Sequence, residues 1–344
     1  MSMSARTTAF SVALVAAIAA LAVASLSYGQ VMVAPGDLLG GLAGSGDPVI
    51  AQIVSEIRLP RVLTALIAGA ALGMAGVLMQ ALFRNPMADA WSLGLVAGGQ
   101  MGVALLVAGA AYAGPAALSF IAGLQGVSLT FGAALGIALT AAAMGALARR
   151  VGTITLLVVG LMIGFTAQGL VSVVMHFANR AGGRVYSGWA DGNFAGVTSG
   201  DLWLLLVPVI VGSVLALANA KGLYALLLGE NYARSLGTDV ARLRRMTLLA
   251  VVILVAPVTA LCGPVTFVGL IVPHFARAIT QSARIMPLLL PAALSGALLA
   301  LSADFILHLP WEEHYLHLNA VLAIIGAPVV IGLLLFSPAM RGQN

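Results

Sequence analysis

Ten apolar stretches of about 20 residues each fill most of this chain, and they constrain its fold more than any other feature. An α-helix needs about 20 apolar residues to cross the hydrocarbon core of a bilayer. Hydrophobic residues make up 61% of the sequence and charged residues only 8%, whereas soluble domains are roughly 45–50% apolar. The sequence therefore predicts an all-α integral membrane protein. The predicted spans are residues 9–28, 62–82, 92–112, 126–147, 154–176, 202–220, 246–262, 265–281, 286–307 and 318–336.

The distribution of basic residues predicts which ends of the spans face the cytoplasm. With the N-terminus inside, twelve of the 16 basic residues lie in cytoplasmic connections, as the positive-inside rule requires. Both chain ends are then cytoplasmic. The first apolar run follows Arg6 and is also compatible with a cleaved signal peptide, but we expect a retained span. The four basic residues outside are Arg58, Arg61, Arg180 and Arg184.

Several classes of function are disfavoured by the composition. The net charge of +5 does not indicate nucleic-acid binding, because the arginines are dispersed at span ends instead of forming a stripe. The sequence contains no phosphate-binding Gly-x-x-x-x-Gly-Lys-Ser/Thr motif and no acid, base and nucleophile set at one depth. We therefore expect neither an enzyme nor a bound cofactor or metal. A single cysteine, Cys262, excludes an internal disulfide.

One polar segment, residues 229–245, interrupts the apolar pattern. Gly237 can adopt the left-handed conformation that ends a first short helix, and Thr238 with Asp239 suits the start of a second. A structured polar insert between two spans indicates that a partner docks on it. The segment carries four arginines, Arg234, Arg242, Arg244 and Arg245.

Six stretches in a fixed order carry a family resemblance. They are residues 58–61 (RLPR), 69–76 (GAALGMAG), 79–89 (MQALFRNPMAD), 229–245, 263–277 (GPVTFVGLIVPHFAR) and 325–328 (IGAP). Each stretch alone is weak, but the ordered set, within about residues 30–336, is specific. The chain resembles the FecCD-type permeases, which are subunits of binding-protein-dependent ABC importers for iron–siderophores, haem and cobalamin.

The resemblance implies a type II ABC importer permease fold of about ten spans, with residues 1–344 forming one transmembrane domain in the cell inner membrane. It implies a homodimer of permeases around a central path, two cytoplasmic ATPases below and a periplasmic binding protein above. The cargo would be a metal chelate, and ATP would be hydrolysed by the separate ATPase. Membrane lipid surrounds the dimer.

The resemblance also assigns roles to individual residues. Arg58 and Arg61, in a docking segment at about 56–61, match arginines that meet acidic residues of the binding protein; the alternative is snorkelling to lipid headgroups. The residues implied for the cytoplasmic gate are Asn85, Met87, Gly152 and Thr153. The residues implied for ATPase coupling are Glu230, Arg234, Ser235, Leu236, Gly237, Arg242, Arg244 and Arg245.

For several other polar residues the sequence leaves alternative roles open. His274 and Arg277 suit either a helix-dipole cap or transmission from the coupling segment. Asp304 lies in the outer part of a span and needs a partner. The second docking segment, about 308–317, contains a histidine set that indicates either a metal or haem relay or, as we favour, a polar headgroup-level loop. That set is His308, His314 and His317, with Glu312 and Glu313.

Two rival functions remain. An ABC permease for bare zinc or manganese ions should place His, Asp or Glu inside several spans, and this chain offers only His176 and Asp304. A secondary transporter should carry ionisable coupling residues near the midplane, and such residues are nearly absent. The sequence does not identify which chelate is carried.

Overall fold

A computed structural model of the chain describes residues 3–42, 47–123, 127–148, 150–178, 180–309 and 316–336. Every regular element in these ranges is a helix, as predicted. A π-helical segment, Ile53–Arg58, and a 3-10 helix, Trp91–Leu93, join the α-helices. The α-helices are α1 (Met3–Ser27), α2 (Pro35–Leu42), α3 (Pro48–Gln52), α4 (Leu59–Phe83), α5 (Leu95–Ala113), α6 (Pro115–Gly123), α7 (Val127–Leu147), α8 (Thr153–Phe177), α9 (Arg180–Ala190), α10 (Leu202–Leu227), α11 (Glu230–Ser235), α12 (Val240–Cys262), α13 (Val268–Thr280), α14 (Ile285–Leu307) and α15 (Leu318–Phe336).

Each of the ten predicted spans coincides with an α-helix. In the described residues, eight helical segments are long and apolar enough to cross a membrane, which makes the chain a multi-pass membrane protein. They contain α1, α4, α5, α7, α8, α10, α12 and α14. The predicted span 265–281 is shorter in the structure, because α13 has 13 residues and reaches only about 20 Å.

A non-helical stretch before α13 explains its short length. Gly263 and Phe267 have φ angles of 75° and 66°, which an α-helix cannot contain. The Asn319 side chain accepts a hydrogen bond from the Thr266 backbone N–H at 3.0 Å and donates one to the Pro264 carbonyl at 2.7 Å. A distant amide thus satisfies backbone groups that a longer helix would pair internally.

The buried helix α4 forms the centre of the bundle and packs against α10, α12, α13 and α14. Glycines four residues apart on α4, Gly69 and Gly73, permit close contacts of this kind. A Cβ atom on Gly69 would lie 2.2 Å from the Gly296 carbonyl oxygen, and one on Gly73 would lie 2.4 Å from that of Ala292. Backbone therefore meets backbone between α4 and α14.

A second group of helices, α5, α7 and α8, packs beside this centre. Gly98 and Gly102 of α5 face Gly136 and Gly132 of α7, with a Cβ on Gly102 reaching 2.0 Å from the Gly132 carbonyl oxygen. The Gln168 side chain of α8 donates a hydrogen bond to Gln100 of α5. α8 leaves much of its surface exposed, so this helix has a free face within a single chain.

We name the two ends of the bundle after the predicted orientation. The inner end is the one at which α10 leads into α11, and the opposite end, where α14 finishes at Leu307, is the outer end. α1 packs against α14.

Candidate functional site

Residues 229–245, which we call the coupling segment, project from the inner end as a short helix and a turn. α11 follows Gly229, whose φ is 121°, and Gly237 has the predicted left-handed φ of 79°. The Asp239 carboxylate accepts a hydrogen bond from the Arg242 backbone N–H at 2.9 Å and so caps α12. The predicted start and stop signals are confirmed. The second helical piece is not separate, because it forms the first turns of α12.

Most of the predicted coupling residues fall into two sets, one exposed and one facing the protein interior. One set is exposed and can meet a partner: Arg234, Ser235, Leu236, Gly237 and Arg242. Tyr232 and Leu228 are also exposed, at 49% and 57%. Sequence reasoning did not single out these two residues, although both lie within or beside the polar segment. The exposed surface of the coupling segment and the adjoining Leu228 thus combines two arginines with apolar side chains.

The second set faces inward, and its centre is Arg244, which is 8% exposed. Its guanidinium donates hydrogen bonds to the Val151 carbonyl at 2.9 Å and the Thr153 hydroxyl at 2.7 Å. It also pairs with Glu230 at 3.1 Å. Arg244 therefore ties the first residue of α11 to the first residue of α8. We call Glu230, Arg244 and Thr153 the inner link.

The inner link joins two sites that sequence analysis treated separately. Glu230 and Arg244 belong to the predicted coupling residues, whereas Thr153, with Gly152 as the residue that precedes α8, belongs to the predicted gate. Thr153 is 8% exposed. The Arg244 guanidinium also donates to the Ala148 carbonyl at 3.4 Å. A guanidinium with four partners fixes both distance and direction, because its donors form a rigid fork.

The other predicted gate residues lie in the loop after α4. The Asn85 side chain accepts a hydrogen bond from the Met87 backbone N–H at 2.9 Å, and Met87 is 39% exposed. No hydrogen bond joins Asn85 or Met87 to Gly152 or Thr153 in the described part of the chain. The two pairs lie at the same end of the bundle, and gating by any of the four residues stays a prediction.

Asp89 closes this loop through hydrogen bonds with Ser92 in the Trp91–Leu93 helix. Its carboxylate accepts a hydrogen bond from the Ser92 backbone N–H at 3.0 Å, and the Ser92 hydroxyl donates to the Asp89 carbonyl at 2.6 Å. Burial raises the pKa of Asp89 to about 6, although the bonds from Ser92 partly oppose the shift. The loop therefore contains a carboxyl group that titrates close to neutral pH.

α13 holds the same loop from the other side. Arg277 donates a hydrogen bond to the Gln80 side-chain oxygen at 2.6 Å, and Gln80 donates to the Leu270 carbonyl at 3.1 Å. A His274 ring nitrogen lies 3.1 Å from the Pro86 carbonyl oxygen. His274 and Arg277 thus connect α13 to the end of α4. Gln80 was not predicted, although a lone amide in an apolar span is itself a signal.

At the outer end, Arg58 and Arg61 are buried, being 5% and 7% exposed. The Arg58 guanidinium donates hydrogen bonds to the carbonyls of Leu26 and Ser27 at the end of α1. Arg61 pairs with Asp304 of α14 at 3.1 Å. Both arginines therefore already have partners within the chain, and their docking role stays a prediction.

Asp304 is 0% exposed, and the structure supplies the partners that the sequence could not name. Besides Arg61, His308 places Nδ1 3.4 Å from the carboxylate. His317 lies 3.2 Å from Asp191. A cavity of about 660 Å³ at the outer end is bordered by Arg61, Asp191, His308 and His317, but not by Asp304. His314, Glu312 and Glu313 lie outside the described residues. No group of three or more metal-ligating side chains occurs among the residues that are described.

Residues 16–336 match the FecCD transport family. The chain is 36% identical over 289 residues to the vitamin B12 import system permease protein BtuC of Vibrio cholerae, covering 82% of each chain. It is 33% identical over 320 residues to the protein of the same name from Salmonella paratyphi A, covering 91% of this chain and 90% of that protein.

Two solved structures resemble the fold. A metal-chelate type ABC transporter in an inward-facing conformation has a TM-score of 0.82 and 26% identity, and covers 96% of this chain and 99% of its own. PsaBC from Streptococcus pneumoniae, in complex with Fab, has a TM-score of 0.51 and 17% identity, and covers 89% and 98%. The second similarity concerns the fold alone.

Proposed function

The chain belongs to the FecCD transport family, and we propose on this premise that it is the transmembrane permease of an ABC importer for a metal chelate. Its relatives include vitamin B12 import permeases, and a metal-chelate type ABC transporter has the same fold. The observation that carries the mechanism is the inner link, which connects an exposed docking element to the end of a span. Iron–siderophore, haem and cobalamin are the candidate cargoes.

The proposed partner at the inner end is a cytoplasmic ATPase dimer, so this end faces the cytoplasm and the permease itself hydrolyses no ATP. The exposed side chains of the coupling segment suit such a partner, because arginines and aromatic residues are enriched at protein interfaces. Arg234 is 66% exposed and its pairing with Glu230 is long, at 3.7 Å. An exposed pair of this kind contributes little stability, so Arg234 is available to the ATPase.

Force would then pass from the ATPase to the gate through the inner link. When the ATPases close, they displace α11, and the bonds from Arg244 to Glu230 and Thr153 carry this displacement to the start of α8. α8 can move because much of its surface is exposed in the part of the chain that the structure describes. We propose that its free face meets a second permease subunit across the path, with Gly152, Thr153, Asn85 and Met87 narrowing the inner end.

The outer end would receive the substrate-binding protein of the inner-membrane importer. We retain Arg58 and Arg61 as candidate docking residues, with a restriction from their burial. Each already has a partner inside the chain. Docking would therefore require the binding protein to contact these side chains in their present positions, in the wall of the outer cavity. His308 and His317 border the same cavity and are the more exposed cations when protonated.

The proposal is tested by reconstituting the permease with its ATPase and binding protein in proteoliposomes. We expect ATP-dependent uptake of one of cyanocobalamin, a ferric siderophore or haem. The double variant R234E/R242E should lose ATPase binding and uptake together, whereas R180E, at the opposite end, should retain ATPase binding. Uptake of bare Zn²⁺ or Mn²⁺ but of no chelate would replace the proposal with the bare-ion alternative.

A further inference from the structure

A cleft between α10 and α14 lies at the inner end, and no residue of the coupling segment lines it. It has a volume of about 530 Å³ and is bordered by Lys221, Tyr224, Arg284, Met286 and apolar neighbours. Ligand sites in proteins typically measure about 300–1,000 Å³. The cleft contains Lys221, the single lysine of the chain, and nothing in the proposed transport cycle uses it.

The charge of this cleft is uncompensated within the described part of the chain. Lys221 and Arg284 are both exposed, and neither side chain has an ion pair among the described residues. Of the acidic residues at this end, Glu230 is paired with Arg234 and Arg244, and Asp239 caps α12. Two cations therefore border one concave surface without a counter-charge.

An apolar surface continues from these cations into the depth of the bilayer. Met286 is 57% exposed beside Arg284. One helical turn deeper, Leu217 on α10 and Leu290 on α14 are 47% and 60% exposed. The surface thus offers cations at headgroup level and apolar contacts below them, in the order in which a phospholipid presents its phosphate and acyl chains.

We propose that this cleft binds an anionic phospholipid of the cytoplasmic leaflet, with the phosphate between Lys221 and Arg284 and an acyl chain along Leu217 and Leu290. Basic pockets between spans on the cytoplasmic side recognise such headgroups. The proposal rests on the predicted orientation of the chain. A soluble acidic partner would have no use for the exposed leucines, which favours lipid over the ATPase as occupant.

The test is native mass spectrometry of the full-length permease, with and without its ATPase, after equilibration with equal amounts of phosphatidylglycerol and phosphatidylcholine. We expect selective retention of phosphatidylglycerol. Each cation near an anionic lipid surface contributes an effect of about fivefold in affinity, so K221Q and R284Q should each reduce retention by about that factor. K221R should preserve it. R150Q removes an exposed inner-end arginine outside the cleft and should leave retention unchanged.

Five results would overturn the proposal. Equal retention of both lipids, or an equal loss in R150Q, would indicate general charge attraction. Full displacement by inorganic phosphate would indicate a simple anion site. Loss of lipid on ATPase binding, together with weakened ATPase binding in K221Q and R284Q, would make the ATPase the occupant. Unchanged retention in K221Q and R284Q, with both variants monodisperse, would leave the cleft without a role.

Discussion

Arg244 offers the sharpest test of how ATPase movement reaches the transmembrane helices. The variant R244M keeps an unbranched apolar stem in the buried position but removes every hydrogen bond of the guanidinium. Those bonds reach Val151, Thr153 and Glu230 at 2.7 to 3.1 Å, and a longer one reaches the Ala148 carbonyl at 3.4 Å. If the inner link carries the force, R244M should still bind the ATPase but should transport less cargo for each ATP hydrolysed.

The size of the effect follows from the contacts. A hydrogen bond to a charged group contributes about 1.5–3 kcal/mol. Counting only the bonds to Val151 and Thr153 at the lower value gives a loss of about 3 kcal/mol in the tie between α12 and α8. We omit Glu230, which is 31% exposed and keeps Arg234. A loss of this size shifts an equilibrium on the order of 100-fold, so uptake per ATP should fall at least about tenfold.

The assay measures ATP hydrolysis and uptake in the same proteoliposomes, with ATPase affinity measured separately. R245M is the matched comparison for the ratio of uptake to hydrolysis, because Arg245 neighbours Arg244 but bonds only to the Ala241 carbonyl of its own helix in the described structure. Since Arg245 is itself an implied coupling residue, R245M is compared by this ratio and not by ATPase affinity. T153V should reproduce part of the R244M effect. The double variant R244M/T153V should lose little more than R244M alone, because both substitutions remove the same contact between Arg244 and Thr153. An unchanged ratio of uptake to hydrolysis in folded R244M would refute the reasoning, as would a loss of ATPase affinity that fully accounts for lost uptake.

Three further predictions concern stability. G69A should destabilise the protein by about 1–3 kcal/mol, because its Cβ meets the Gly296 carbonyl. G145A is the control, because a Cβ at Gly145 meets no other atom within 4 Å. Equal melting temperatures of the two variants would contradict the close packing of α4 on α14. D304N should lower the free energy of unfolding by about 3–5 kcal/mol, because it leaves Arg61 buried and unpaired. In denaturation experiments the double variant R61M/D304L should recover most of this loss. No recovery would contradict the pairing of Arg61 with Asp304. The raised pKa of Asp89, about 6, means that the folded state binds its proton more tightly than the unfolded state, so stability should fall as pH rises from about 4 to 6. D89N should flatten that part of the pH profile, and an unchanged slope would contradict it.

Much of the fold follows from local sequence signals. The positions of the ten apolar helices, the left-handed Gly237 and the Asp239 cap depend on residues that are neighbours in sequence. The close approach of α4 and α14 follows from glycines at a helical spacing. Local hydrophobic periodicity and capping were sufficient for these features, since each is decided within a few turns of helix.

Other features depend on contacts between distant residues. The shortness of α13 depends on Asn319, whose amide occupies the backbone groups before the helix. Arg61 carries the same charge whether it faces a partner protein or Asp304, so sequence alone could not tell docking from an internal ion pair. These outcomes were decided by tertiary packing.

The inward direction of Arg244 was predictable in part. Thr247, Leu248 and Val251 are buried and lie three, four and seven residues after Arg244, so all four share one face of α12. Arg242 points elsewhere and is exposed. Position on the helix therefore distinguishes Arg244, which faces the protein interior, from Arg242, which is a candidate contact for the ATPase. The identity of the partner of Arg244, Thr153, could not be read from that position.

The most direct measurement of the central claim is the distance between the coupling segment and the start of α8 through the ATP cycle. Spin labels at L228C, the position immediately before the coupling segment, and I154C, both exposed, can be attached selectively because the native Cys262 is buried. Labelled permease is diluted with unlabelled permease in the assembled importer, and a second pair, I154C and M87C, reports the gate. We predict that the L228C–I154C distance stays constant while the I154C–M87C distance changes with nucleotide. A change in the first distance as large as that in the second would show that the coupling segment and α8 do not move together.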